Sequence, residues 1–158
     1  MVNDVCLAIA QLPKLVQQHS TDVIVMGHSA GGQLALCAAV KCSSSKLIGA
    51  LALGPIADLQ YAYDNGIGDK AVSAFLGGPP STHRDLDPCQ LPSATIGITI
   101  VHGVQDAIAP LAMSENYLSH HANARLVKVE SCGHFALIDP QSAAWPIVVE
   151  ELAELSSS

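Results

Sequence analysis

Val23-Ile24-Val25-Met26-Gly27-His28-Ser29-Ala30-Gly31-Gly32 decides how the rest of the chain is read. An apolar, β-branched run stops at a glycine, and a helical pattern of small residues follows. The reading is strand, sharp turn, helix, with Ser29 at the apex. Gly27-x-Ser29-x-Gly31 has the spacing of a nucleophile elbow. Such a turn holds the serine in a sparsely populated backbone conformation, its hydroxyl standing clear at the carboxyl end of the strand. The glycines two residues to either side are expected to remove Cβ atoms that would collide as strand and helix close up. The helix start aims free N–H groups, that of Ala30 first, at negative charge forming beside Ser29.

Working outward, residues 4–19 predict a helix with Val5, Ile9, Leu12, Leu15 and Val16 at helical spacing and a kink at Pro13. Ser20-Thr21-Asp22 connects it to the strand Val23–Met26. A helix is expected from Ala30 to about Lys41, then a strand over Leu47–Leu53 ending at Gly54-Pro55. Residues 57–93 change character. Tyr61, Tyr63, Asp64, Asn65-Gly66 and Gly68 read as loop, Asp69–Leu76 as a short helix capped by Asp69, and Ser81–Pro92 as polar chain. Long irregular stretches are uncommon unless functional, so 57–93 is taken as a lid or pocket wall inserted in a single domain. A strand over Ile96–Val101, a helix over 110–121, a strand over Arg125–Glu130 and a helix over Ser142–Leu155 complete the chain. Val148, Val149 and Leu152 of that last helix are expected to face inward. Strands alternating with helices predict an α/β fold, a doubly wound, mostly parallel sheet with helices on both faces.

Composition agrees. The 158 residues suit one domain, and 49% hydrophobic against 13% charged residues fits strands buried on both faces. The longest apolar runs fall short of a membrane span, and the start Met1-Val2-Asn3-Asp4 lacks a basic leader region. A net charge of −7 with seven Lys+Arg argues against nucleic acid as a partner. Cys6, Cys37, Cys42, Cys89 and Cys132 form no Cys-x-x-Cys. They are read as buried thiols, which implies a cytoplasmic, reducing compartment. His120 and His121 are adjacent and cannot share a helix face, so no metal is expected.

A hydroxyl needs a base to become a nucleophile, and the base needs an acid to fix its tautomer. In doubly wound sheets these groups gather where strands end. The third strand exits at His102-Gly103-Val104-Gln105-Asp106 and the fourth at Cys132-Gly133-His134. The order Ser29, Asp106, His134 is the one expected with this elbow. His28 is a rival base expected to turn away from the pocket, and His102 is expected to brace the Asp106 loop. Asp139 is a rival acid, otherwise a helix cap or surface carboxylate. Tyr61 and Tyr63 either line the pocket or pack the lid.

With these residues in view, the chain resembles the α/β-hydrolases, in the branch that holds carboxylesterases, prolyl-oligopeptidase-like hydrolases and kynurenine-formamidase-like enzymes. Gly27-His28-Ser29-Ala30-Gly31-Gly32 resembles the elbow of that branch, His102-Gly103-Val104-Gln105-Asp106-Ala107-Ile108-Ala109-Pro110 its acid loop, and Gly133-His134-Phe135 its histidine loop. The resemblance implies a serine hydrolase acting on a small ester or amide without a cofactor. It also implies several strands ahead of the elbow, one of whose loops supplies a second oxyanion donor. One helix and one strand precede Ser29, so the chain reads as the C-terminal portion of such a fold. The elbow strand then has a bare edge, which predicts a homodimer or poor solubility. Two function classes stand: an active carboxylesterase-like hydrolase, with formamidase or peptidase as variants, and a non-catalytic binding module that keeps the same residues.

Overall fold

Residues 1–16, 21–69 and 71–157 are described by the computed structural model. The expected helix residues 17–19, Ser20 of the first connection, Lys70 of the expected short helix and Ser158 of the tail lie outside the described residues.

The second strand, β2 (Leu47–Leu53), shows why the sheet is covered on both faces. Ala50 and Ala52 point into one apolar cluster, with Leu36, Ile98, Ile100 and Tyr117. Leu51 and Leu53, pointing the other way, enter a second cluster with Val101, Leu137, Val148 and Leu155. Each fully buried Leu or Ile contributes about 1.5–3 kcal/mol over its exposed state. Among the described residues β1 (Val23–His28), β2, β3 (Gly97–Gly103) and β4 (Ala124–Val129) form one parallel sheet in sequence order. α2 (Ala30–Lys41) and α5 (Leu111–His120) cover the alanine face of β2, and α6 (Trp145–Ser156) covers its leucine face. This is the doubly wound parallel α/β sheet expected from the sequence.

β1 is the sheet's outer strand. α1 (Val2–Leu15) packs on α2 and β1 through Val5 and Ile9. Its second half leaves the core, with Leu12 44% and Leu15 79% exposed. Helical spacing puts these residues on one face, but that face meets the domain along its first half only. In α6, Val148 is buried while Val149 is 48% exposed, so the expected inward face is one residue too wide.

The 57–93 stretch is more regular than expected. Tyr61 and Tyr63 lie in a helix, α3 (Leu59–Asp64), because Asp58 caps it by accepting from the Tyr61 N–H at 2.8 Å. α4 (Ala71–Leu76) follows, then single 3₁₀ turns at Pro80–Thr82, Arg84–Leu86 and Pro88–Gln90. Buried Asp87 accepts from the N–H groups of Leu59 and Cys89, which ties the end of this stretch back to its beginning. No helix among the described residues is long and apolar enough to cross a membrane.

The cysteines require a correction. Cys6 and Cys42 form a disulfide, while Cys37, Cys89 and Cys132 are free and buried. Packing of α1 along α2 brings the Cys6 and Cys42 Cα atoms to 5.1 Å, a contact invisible to sequence spacing. The reading of all five as thiols in a reducing compartment, and the cytoplasmic placement drawn from it, lose that support. The bond closes a separation of 36 residues. Chain-entropy arguments give a loop of this size about 2–4 kcal/mol of stabilisation. Urea denaturation of a Cys42→Ser variant should show a loss of that size, and reductant should move the wild-type midpoint toward the variant's.

Candidate active site

The elbow is built by sterics. A Cβ on Gly27 would lie 2.1 Å from the Gly31 carbonyl oxygen, so strand and helix approach this closely only with hydrogen at that position. Ser29 sits between them at φ 57, ψ −118, a conformation costing about 1–3 kcal/mol. Its backbone is pinned on both sides: the Ser29 N–H donates to Leu53 O at 2.9 Å, and the Ile56 N–H donates to Ser29 O at 3.2 Å. Gly31 departs from the expected role, because a Cβ there would meet nothing within 4 Å. The second close approach belongs to Gly32, whose Cβ would lie 2.8 Å from that of Pro55. Ala30 is the exposed first residue of α2, where backbone N–H groups have no partner within the helix.

Two other strand ends converge here. Asp106, beyond β3, accepts at Oδ1 from the N–H groups of Ile108 (2.9 Å) and Ala109 (2.8 Å). Its Oδ2 accepts from His134 Nδ1 at 2.6 Å, and both side chains are buried. That bond puts the proton of neutral His134 on Nδ1 and leaves Nε2 as a base. The carboxylate is thus fixed by three donors, which suits a buried charge. Gly54, at the end of β2 with φ +46, lets the pair come close: a Cβ there would lie 3.1 Å from Asp106 Oδ2 and 3.3 Å from His134 Nδ1.

His102 holds the acid loop. Its Nε2–H donates to Ala109 O at 2.8 Å, and its Nδ1 is 2.7 Å from Ser114 Oγ. Burial pushes its pKa down, opposed by the Ala109 bond and by Asp106, which suits a neutral ring that takes the Ser114 proton as donor. Asp139 is exposed and accepts from the Gln141 N–H in a turn, neither capping α6 nor meeting His134. Tyr63 is 39% exposed, and Tyr61 packs beside Leu59, Ala62 and Met113.

His28 is not among the residues that line the cavity beside the elbow, yet it lies against His134. Its Nε2–H donates to the His134 carbonyl oxygen at 3.0 Å, and the two rings lie with centroids 4.3 Å apart. It occupies a freely variable position of the elbow pattern, so spacing gave no signal for it. In the sequence Gly54 marks only a strand end, and its closeness to the Asp106–His134 pair is a product of tertiary packing.

Next to the elbow, a cavity of about 200 Å³ is lined by Ala30, Gly31, Leu34 and Ile56 on one side and by Val72 and Phe75 of α4 on another. Neither Tyr61 nor Tyr63 lines it. A strained serine, a buried carboxylate–imidazole pair and a helix start at one end of the sheet are the groups that acyl transfer requires.

Comparison with known proteins agrees with this fold. The family model described as serine hydrolase matches residues 8–154. No curated protein matches the sequence. Puromycin hydrolase superposes with a TM-score of 0.69 at 23% identity, over 84% of this chain and 22% of that one. The acetyl ester-xyloside bifunctional hydrolase of Caldicellulosiruptor lactoaceticus gives 0.73 at 20% identity, over 97% of this chain and 64% of that one. A thermophilic esterase of Thermogutta terrifontis gives 0.67 at 19% identity, over 97% and 61%. The chain therefore spans less than a quarter of puromycin hydrolase and under two thirds of the other two. At these identities the likeness shows the fold.

The two elbow glycines should respond differently to the same change. Gly27→Ala forces backbone apart and should cost about 1–3 kcal/mol or more in urea denaturation. Gly31→Ala, with open space and a helical setting, should stay within about 1 kcal/mol of wild type.

Proposed function

Because the chain belongs to the serine hydrolase family, we propose that it cleaves a small carboxylic ester, or an amide, through an acyl-enzyme on Ser29. His134 is the base and Asp106 the acid that orients it. The observation that carries this reading is the 2.6 Å Asp106–His134 bond, formed at the end of the sheet where Ser29 is held in its strained turn.

The steps follow from the groups present. Ser29 Oγ attacks the substrate carbonyl carbon as its proton passes to His134 Nε2. Asp106 balances the imidazolium and keeps its Nδ1–H turned inward. The Ala30 N–H, at the positive end of α2, donates to the carbonyl oxygen as negative charge builds on it. His134 then returns the proton to the leaving group, the acyl-serine forms, and water activated by the same imidazole releases the acid. The cavity beside Ala30 supports a small apolar acyl or alcohol group, and Val72 and Phe75 support reading 57–93 as a pocket wall.

A fluorophosphonate probe should label the wild-type chain and not Ser29→Ala, and only the wild type should turn over a short-chain p-nitrophenyl ester. Asp106→Asn should lower kcat by about 10⁴, because it favours the wrong imidazole tautomer. A folded wild-type chain that neither labels nor turns over would sink the catalytic reading in favour of a binding module.

The outer edge of β1, with Met26 45% exposed, supports the homodimer expected from the sequence. Sedimentation velocity should show a dimer that Met26→Lys converts to monomer. A wild-type monomer at micromolar concentration removes that reading.

A further inference from the structure

His28 makes two contacts with His134 that the acyl-transfer chemistry does not require. The first is the 3.0 Å bond from its Nε2–H to the His134 carbonyl oxygen. A carbonyl only accepts, so His28 carries a proton on Nε2. The second is ring contact: the imidazoles lie 4.3 Å apart at an interplanar angle of 47°. Phe135 stands beside both, its ring 6.1 Å from His28 and 5.3 Å from His134. His28 is the last residue of β1 and pairs with Leu53, so its backbone belongs to the sheet. His134 opens the 3₁₀ turn His134–Ile138 in a loop outside the sheet.

We propose that His28 is a positioning residue: it ties the main chain of His134 to the strand that carries Ser29, and so fixes the distance between nucleophile and base. Asp106 determines how the His134 ring is turned but sits on the β3 exit and cannot set the separation from the β1 exit. The His28 bond spans that gap directly, one residue from Ser29. Burial pushes the His28 pKa down, with His134 acting in the same direction and the carbonyl bond and Asp106 opposing. A neutral His28 suits the reaction, since a cation there would repel the imidazolium that forms on His134.

The proposal rests on His134 being the base, and its test separates the two ideas. His28→Gln keeps an N–H donor for the carbonyl, His28→Phe keeps a ring without the donor, and His28→Ala keeps neither. A misplacement on the order of 1 Å costs about 100-fold, so Ala and Phe should lower kcat by about 10–100-fold with little change in KM. Gln should recover most of the loss. Independently of turnover, the low-field Nδ1–H proton resonance of His134 should broaden in His28→Ala and stay sharp in His28→Gln. If all three variants keep kcat within about twofold of wild type, or if Gln loses as much as Ala, His28 does not position the base. If the wild type proves inactive, the function reading fails, and the proton resonance alone decides the contact: unchanged in His28→Ala, it overturns the proposal.

Discussion

The closest approach in the elbow, where Gly27 lies against the backbone of Gly31, sets the geometry on which the site depends. Strand and helix close to that distance only when position 27 carries hydrogen. Once they do, the residue between them has little choice of conformation, and Ser29 takes a positive φ. Its N–H and carbonyl are both engaged by the exit of β2, so the strain cannot relax by rotating the turn. The cost of about 1–3 kcal/mol is small beside the burial of the surrounding strands. A rigid two-faced sheet is therefore a condition for the strained turn as well as a platform for it.

The same sheet end solves a charge problem. A buried carboxylate is tolerated when its lone pairs are occupied, and Asp106 has two backbone donors on one oxygen and His134 on the other. The loop supplying those donors is held by His102, buried inside β3 and bonded to Ala109 and Ser114. Three histidines thus sit within one small region with different tasks. His102 secures the loop that carries Asp106, His134 holds its ring against Asp106, and His28 bonds the His134 carbonyl from the end of β1.

The sequence made the framework legible because its signals are local. β-branched runs marked the strands, glycine and serine spacing marked the elbow, and loop motifs after β3 and β4 marked Asp106 and His134. What it hid depends on contact between distant segments. Cys6 pairs with Cys42 because α1 lies along α2. Leu12 and Leu15 repeat at helical spacing yet stay exposed, because periodicity shows which residues share a face and not where that face ends. Val149 failed for the same reason. His28 and Gly54 fill positions whose neighbours come from β-strand exits far along the chain. α3 read as loop because its short span is stabilised by the Asp58 cap more than by its own residues.

That cap leads to the wall of the cavity. Asp58 accepts from the Tyr61 N–H with one oxygen and from the Asn116 side chain of α5 with the other. Asp87 lies close by with Cys89, its carboxyl pushed upward by burial and by Asp58, while the N–H groups of Leu59 and Cys89 act against that. Two buried carboxyls side by side would repel if each lacked donors. Here backbone N–H groups from both ends of the 57–93 stretch meet the demand, so the polar cluster draws the stretch closed upon itself and onto α5. Leu59 is thereby fixed at the start of α3, where its side chain packs with Val72 of α4. Both residues line the cavity beside the elbow. The wall is therefore held in place by hydrogen bonds on its far side, which leaves its inner side free to be apolar.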